Sequence, residues 1–276
     1  MGPSARDGLR SVRRRAGRRV HVDKEFIQSL EKGLTVLRAF SRDTPSFTLA
    51  EMAKATGLSR AAARRVVLTL QSLGYVGTDG RQFFLLPKVL ELGYAYLSAS
   101  GLSTVAQPHL DALNVTLGEA CSVGVLSDHD VIYVARAQGQ RRMTTAMSIG
   151  TRLEATCTAV GRVLLAHLPD EELDAFLADA PFTPFTPHTV TSPDELRGLL
   201  AVVREQGWAV VDQELEIGFC TAAAPIRDAE DQVVGALNVG MHTARVPPEE
   251  VVDRVLPRLL DTAGAIGLKY RERRPA

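Results

Sequence analysis

Apolar positions recur at three- and four-residue steps through the first part of the chain, which predicts three helices. The first helix carries an apolar stripe between Ile27 and Phe40. Thr48 and Glu51 form a capping box that begins the second helix. Gly57 is placed for the left-handed conformation that ends this helix, and Ser59 is a suitable N-cap for the third. Two short helices joined by such a turn indicate a helix-turn-helix.

A hairpin is predicted directly after the third helix. Tyr75–Thr78 and Arg81–Phe84 flank Asp79-Gly80, a dipeptide preferred in two-residue type I′ turns. A helix-turn-helix followed by a hairpin is a winged helix, and arginines with small residues on the third helix suit the DNA major groove. A solvated basic surface is the alternative for that face. The candidate DNA-contacting residues are Ser59, Arg60, Ala61, Arg64, Arg65 and, at the wing tip, Arg81.

The rest of the chain alternates between helical and strand patterns. Helices are predicted at 87–100, 105–117, 159–167, 170–177 and 192–205, with a closing helix after Pro247 or Pro248. Strands are predicted at 121–126, 131–135, 144–149, 208–213, 221–226 and 233–241. Hairpins outnumber crossover units, which favours an antiparallel sheet. The predicted fold class is therefore α+β, with an N-terminal winged helix-turn-helix, a linker helix and a C-terminal domain built on an antiparallel sheet.

Four segments follow from these patterns. They are a disordered basic arm at 1–24, a winged helix-turn-helix domain at 25–86, a linker helix at 87–101, and an effector-binding and oligomerisation domain at 102–270. The arm either contacts DNA phosphates or is a passive tail. The linker helix either packs back on the winged domain or pairs with a second subunit.

The net charge of zero conceals an asymmetry. Residues 1–100 hold 17 Lys and Arg against 8 Asp and Glu, whereas the remaining residues hold 15 against 24. A basic part joined to an acidic part is typical of a polyanion-binding module fused to a separate domain. Three widely spaced cysteines fit the reducing cytoplasm, and no apolar run is long enough to span a membrane.

The sequence lacks the common catalytic signatures. It contains no phosphate-binding loop, dinucleotide fingerprint or nucleophile elbow, and its six histidines lack metal-ligand spacing, so no cofactor or metal is indicated. Glu214 and Glu216 are two residues apart in the sequence and could act in general acid–base catalysis, although a structural role or a ligand contact is favoured. An enzyme with an accessory DNA-binding domain and an architectural DNA-binding protein without effector are the alternatives to an effector-responsive regulator.

One helix start has the chemistry of an anion site. Thr156 and Thr158 lead directly into the helix that begins near Ala159. Free backbone amides at a helix start, together with these hydroxyls, can hold a carboxylate. Alternatively, Thr158 simply caps its own helix.

Several segments together resemble the IclR family of bacterial transcriptional regulators, from Phe26 to about Gly267. They are Ser29–Leu34, Leu73–Val76, Leu90–Gly93, Gly161–Ala166, Trp208–Gly218, Ala224–Ile226 and Ala236–Gly240. The phrases Arg60–Arg65 and Val211–Gly218 resemble more narrowly the PcaR/PcaU/PobR subgroup, which regulates aromatic-acid degradation through the β-ketoadipate pathway.

The resemblance implies a homodimer, or a dimer of dimers, that binds a palindromic operator in double-stranded DNA. It also implies a PAS/GAF-like C-terminal domain that binds a small carboxylate such as protocatechuate, 4-hydroxybenzoate or β-ketoadipate. Carried onto this chain, the effector site comprises Thr144, Met147, Cys157, Thr158, Ala159, Val160, Asp212, Cys220, Thr221 and Ala222. Cys220-Thr221 stands where the family pattern has arginine-serine. This change removes a bidentate carboxylate partner, which Arg152 could replace.

Overall fold

The computed structural model describes residues 26–139 and 147–273, so the predicted arm at 1–24 lies outside the described residues. The described chain forms two units, one ending at Tyr96 and the other beginning at Leu97. The division falls inside the predicted linker helix. Within the described ranges, no helix is both long and apolar enough to cross a membrane.

The N-terminal unit has the predicted order of helices and adds a short strand. Its elements are α1 (Gln28–Ala39), β1 (Ser46–Phe47), α2 (Leu49–Thr56), α3 (Arg60–Ser72), β2 (Val76–Thr78) and β3 (Phe83–Leu85). The strands form an antiparallel sheet in the order β1-β3-β2. Val36, Met52 and Val67 are fully buried where the three helices meet, and Phe47 and Val76 bring the sheet against the same core.

Local hydrogen bonds explain why the helix-turn-helix forms where the sequence predicts it. The Glu51 backbone amide donates to Thr48 Oγ1, and the Thr48 amide donates to Glu51 Oε2 at 2.8 Å, which confirms the capping box. Gly57 ends α2 with φ +68°, a conformation that glycine adopts without steric cost. The Ser59 hydroxyl accepts from the amide of Ala62 and thereby caps α3.

The wing turn differs from the prediction. Thr78 pairs with Phe83, so the loop has four residues and is not a two-residue type I′ turn. The Asp79 carboxylate accepts hydrogen bonds from the amides of Arg81 and Gln82, at 2.8 and 2.7 Å. These two bonds also lower the pKa of Asp79. An aspartate that satisfies the amides of its own turn competes with the tighter backbone turn, which explains the longer loop.

A 3₁₀ turn at Pro87–Val89 leads into α4 (Leu90–Ser100), as predicted for this segment. No side chain of α4 is buried. Leu90, Leu92 and Tyr94 are 70%, 51% and 71% exposed. Ile27 and Leu30 of the N-terminal unit are also about 60% exposed. Helices α1 and α4 therefore both present large apolar side chains to solvent.

The C-terminal unit is an α+β domain on a six-stranded antiparallel sheet, which confirms the predicted class. The sheet order is β6-β5-β4-β9-β8-β7. The elements are α5 (Leu102–Leu117), β4 (Ala120–Ser127), β5 (Asp130–Ala137), β6 (Arg152–Glu154), α6 (Ala159–Ala166), α7 (Asp170–Asp179), α8 (Pro193–Gln206), β7 (Ala209–Asp212), β8 (Phe219–Arg227), β9 (Val233–His242), α9 (Val251–Arg254) and α10 (Leu256–Arg273).

Each face of this sheet has its own hydrophobic core. Side chains of α5 and α10 cover one face, where Leu110, Leu237 and Ile266 are fully buried. Helices α6, α7 and α8 cover the other face, where Leu165 and Leu196 are fully buried. Because successive residues of a strand point to opposite faces, apolar positions of β9 alternate between the two cores, with Ala236 in the core beside α6 and Leu237 and Val239 in the other.

The end of α6 is held by two basic side chains of the same unit. Arg204 donates from Nε to the carbonyl oxygen of Ala166, one of the last carbonyls of the helix. His167 donates from Nδ1 to the carbonyl of Val163, and its Nε2 accepts from Arg227 Nη2 at 2.8 Å. Burial is the main cause that lowers the pKa of His167, and the nearby Arg227 contributes. The imidazole is therefore neutral in this arrangement.

The predicted strand at 144–149 is wrong in its described part. Residues 147 and 148 lie in neither a helix nor a strand, residues 149 and 150 form a turn, and residues 144–146 lie outside the described residues. Thr151 donates its amide to the Ser148 carbonyl, and its hydroxyl accepts from the Ser148 amide. Gly150 has φ +87°, which ends any extended run. The edge strand is instead β6, which pairs with β5.

Candidate effector site and DNA-contacting surface

The basic face of α3 is fully accessible. Ala63, Val67 and Leu70 are buried against the other helices, which leaves Arg60, Ala61, Arg64 and Arg65 exposed, with Ser59 exposed at the N-cap. Arg81 is exposed in the wing loop. Within residues 26–139 and 147–273, none of these four guanidinium groups forms an ion pair or a hydrogen bond. The structure thus places all six predicted DNA-contacting residues on the surface of the winged domain.

In the C-terminal unit, the start of α6 packs unusually close to the 3₁₀ turn at Ala155–Cys157. A Cβ atom on Gly161 would lie 1.9 Å from the carbonyl oxygen of Ala155, so this position requires glycine. The Thr158 hydroxyl accepts from the Gly161 amide at 3.1 Å and caps the helix, as the structural alternative predicted. The preceding amides, those of Ala159 and Val160, have no acceptor within the helix because they belong to its first turn.

A small cavity lies between this helix start and the sheet. Its volume is about 20 Å³, which leaves room for about one water molecule. Helix α6, the α6-facing side of the sheet and the turn after β7 supply the walls, which are largely apolar. The lining residues are Tyr133, Met147, Leu153, Cys157, Thr158, Ala159, Val211, Glu214, Leu215, Phe219, Thr221 and Asn238.

Five of the residues predicted to bind an effector line this cavity. They are Met147, Cys157, Thr158, Ala159 and Thr221. Val160 is 1% exposed and packs in the core beside the cavity without lining it. Thr144 lies outside the described residues.

Three further predicted residues do not come together with the cavity. Cys220 and Ala222 are buried in the core on the α5 and α10 side of the sheet. Asp212 pairs directly with Cys220 across β7 and β8 and alternates with Val211, which lines the cavity. Neighbours in a strand face opposite sides, so these three side chains point away from the effector site.

Glu214 carries the main charge of the site and was not among the predicted effector residues. Its side chain is 7% exposed and pairs with Arg162 of α6, whose side chain is 6% exposed, at 2.6 Å. The second carboxylate oxygen accepts from the Val190 amide at 3.1 Å. The hydroxyls of Thr186 and Thr189 donate to backbone carbonyls of Gln213 and Glu214. Glu214 thus has the structural role that the sequence favoured, while it also forms part of the cavity wall.

Asn238 is the second lining residue that the sequence analysis missed. It lies in the middle of β9 and is 6% exposed. Its Oδ1 atom has no hydrogen-bond partner among the described residues. Leaving a buried polar group unsatisfied costs about 1–3 kcal/mol. Asn238 lies in the Ala236–Gly240 segment that carries the family resemblance, and it is a polar residue within a strand that is largely apolar.

The cavity wall holds no cation among the described lining residues. Arg152, which was expected as a possible replacement for the family arginine, lies on edge strand β6 and pairs with Asp130 at 2.8 Å. It does not line the cavity. Cys157 does line it, and burial raises the pKa of its thiol to about 12. The thiol is therefore protonated and acts as a small apolar surface.

A winged helix-turn-helix with a free basic helix, joined in one chain to an α+β domain with an internal cavity, defines a DNA-binding transcriptional regulator with an effector-binding domain. Comparison with known proteins agrees with this class. The profile described as the IclR helix-turn-helix domain matches residues 29–80, and that of the bacterial transcriptional regulator IclR C-terminal domain matches residues 94–268.

Similar proteins narrow the class further. The chain is 44% identical to the Pca regulon regulatory protein of Pseudomonas putida, over 86% of this chain and 82% of that protein. It is 35% identical to the p-hydroxybenzoate hydroxylase transcriptional activator of Acinetobacter baylyi, over 88% and 92%. The crystal structure of an IclR homologue from Microbacterium hydrocarbonoxydans, complexed with 4-hydroxybenzoate, is 26% identical, with a TM-score of 0.77 and coverage of 88% and 99%.

The chain therefore belongs to the IclR family. The resemblance noted in the sequence is confirmed, including the subgroup whose members regulate aromatic catabolism. The family and these relatives are transcriptional regulators, so the protein is a regulator and not an enzyme.

Proposed function

We propose that this protein controls genes of aromatic-acid catabolism by binding an operator through α3 and the wing, and that a small aromatic carboxylate in the α6 cavity changes its operator affinity. The observation that carries the proposal is the cavity, which combines free helix-start amides with apolar walls and one unsatisfied amide side chain. The 4-hydroxybenzoate bound to the related Microbacterium protein supports an acid of this class.

In this proposal the carboxylate binds at the start of α6. Backbone amides and the partial positive charge of a helix N-terminus favour an anion, and Ala159 provides one of the first free amides. Thr221 adds a hydroxyl on the facing strand. Tyr133, Val211 and Phe219 offer apolar surface for a ring. These donors would hold the carboxylate without an arginine, because Cys220, the position at which the family pattern has one, faces the other side of the sheet.

The small volume of the cavity gives a reason why effector binding would be coupled to operator affinity. A space for about one water molecule is smaller than any aromatic acid, so the effector must bind to a conformation in which the cavity walls have moved apart. A ligand shifts a conformational equilibrium by its difference in affinity for the two states. Effector binding would then change the preferred state of the C-terminal domain and, through it, operator affinity.

A homodimer is the simplest assembly for this function. Exposed apolar side chains on α1 and on α4, among them Leu30, Leu90 and Tyr94, are available to pack against a second copy. A two-fold dimer would place two copies of α3 on a palindromic operator. Since the operator lies on the bacterial chromosome, we place the protein in the cytoplasm.

DNA binding and effector response are tested together with the intergenic DNA next to the gene for this protein. Fluorescence anisotropy measures the affinity for a labelled fragment with and without aromatic acids, at one fixed salt concentration. Arg64→Ala should weaken binding by about 1–3 kcal/mol if the guanidinium reads a guanine. Arg197→Ala, an exposed arginine in the C-terminal unit, is the matched control and should bind as wild type does.

Two outcomes would contradict the proposal. If Arg64→Ala and wild type bind the operator with equal affinity, α3 is not the helix that reads the operator. If operator affinity stays unchanged across a broad panel of aromatic acids, the proposed effector response is refuted, even when DNA binding is intact.

A further inference from the structure

The Asn238 side chain lies on the sheet wall of the cavity. In the register of the sheet, Asn238 is directly opposite Ser122 of β4 and Ala223 of β8. Ser122 already accepts a hydrogen bond from Arg136 Nη1 at 3.0 Å. Ala223 has no polar side chain. The Asn238 Oδ1 atom has no hydrogen-bond partner among the described residues, and the residue is 94% buried.

This polar group is unexpected at its position. Its strand neighbours on the same face are Ala236 and Gly240, and the alternate positions Leu237 and Val239 are fully buried apolar residues of the other core. Leucine has the same branching and the same number of side-chain heavy atoms as asparagine, and it would avoid the cost of a buried unsatisfied amide. An amide retained here therefore needs a partner from outside the described structure, and the cavity is the space that it faces.

We infer that Asn238 determines effector specificity by hydrogen bonding to a neutral hydroxyl group of the effector, at the end of the molecule remote from its carboxylate. The inference rests on the proposed function, since it presumes that the α6 cavity takes the effector. A hydroxyl group can donate to Oδ1 or accept from Nδ2, so it satisfies either end of the amide.

The charges of the cavity argue against a second carboxylate at this wall. Glu214 is the acidic residue among the described lining residues, and its charge is already matched by Arg162. A second anionic group on the effector would lie near the Glu214 carboxylate, and repulsion between the two negative charges is unfavourable. The site is thus suited to a monocarboxylate that carries a hydroxyl group, and less suited to a dicarboxylate.

The test compares 4-hydroxybenzoate with benzoate, which lacks only the hydroxyl group, by isothermal titration calorimetry on the full chain. Wild type should bind 4-hydroxybenzoate at least about tenfold more tightly than benzoate, because benzoate leaves the amide unpaired. Asn238→Leu should abolish this preference and leave benzoate binding equal or tighter. Ser122→Ala, which changes the neighbouring residue that does not line the cavity, should keep the preference.

The outcomes separate the two proposals. If wild type binds both acids equally, or if Asn238→Leu keeps the preference, the role of Asn238 is refuted while the carboxylate site stands. If wild type binds neither acid, the proposed effector class fails, and the inference fails with it. Asn238→Ala is a second variant in case the leucine variant does not fold, and its preference should also be lost.

Discussion

The buried ion pair between Arg162 and Glu214 allows a quantitative prediction. Arg162→Met keeps most of the side-chain volume but leaves the Glu214 carboxylate buried without its cation. Breaking a buried pair in this way costs about 3–5 kcal/mol. Both side chains are less than a tenth exposed, so solvent cannot screen the remaining charge. For a domain of this size, each kcal/mol lowers Tm by about 2–4 °C, which predicts a loss of about 6–20 °C.

Trp208 makes the measurement specific to the C-terminal unit. It is the single tryptophan of the chain and lies beside β7 in the α5 and α10 core. Its fluorescence during thermal and urea unfolding therefore reports on the domain that contains the ion pair. Arg197→Met is the matched control, because Arg197 pairs with Asp174 at the surface with side chains 47% and 63% exposed. Such a pair contributes about 0–1 kcal/mol.

A second variant separates the loss of charge pairing from the loss of packing. Glu214→Gln combined with Arg162→Met removes the uncompensated charge and keeps an oxygen that can accept from the Val190 amide. The double variant should recover most of the stability that the single variant loses. The reasoning is refuted if Arg162→Met costs less than about 1 kcal/mol, or if the double variant is no more stable than the single one.

Two other predictions concern protonation. Burial lowers the pKa of His167 in the folded state, so the unfolded chain takes up this proton first as pH falls below about 6.5, and stability decreases there. His167→Gln should therefore flatten the fall in Tm between pH 7.5 and 5.5. Equal slopes of Tm against pH for the variant and wild type would contradict this. Burial raises the pKa of the thiols of Cys121, Cys157 and Cys220 to about 12. Ellman's reagent at pH 8 should therefore label these three cysteines only after unfolding. Rapid labelling of the folded protein would contradict this.

Features that depend on neighbouring residues could be predicted from the sequence. The capping box at Thr48, the left-handed Gly57 and the N-cap Ser59 involve contacts within a few residues, so the helix-turn-helix was found where it was expected. The wing turn is equally local but was predicted wrongly. The Asp79-Gly80 dipeptide suits two types of loop, and the Asp79 side chain decided between them by bonding the amides of Arg81 and Gln82.

Features that depend on which sheet face carries a helix could not be predicted. Alternation along β8 separates Thr221 from Cys220 and Ala222, yet the sequence does not say which set faces α6. Glu214 and Asn238 are far apart in the chain, and only the sheet order brings both to one cavity. Asn238 lies within the family segment Ala236–Gly240, but a motif does not show which face of the sheet a residue occupies, so the position of Asn238 at the cavity could not be derived from it.

The position of the Arg162–Glu214 pair has a consequence for how such a sensor diversifies. The pair and the Thr186 and Thr189 hydrogen bonds hold the turn after β7, while most of the cavity wall consists of side chains that take no part in these contacts. Exchange of those wall residues can alter the recognised molecule without disturbing the contacts that hold this turn. A lineage can thus acquire a new effector by few substitutions while the ion pair stays in place.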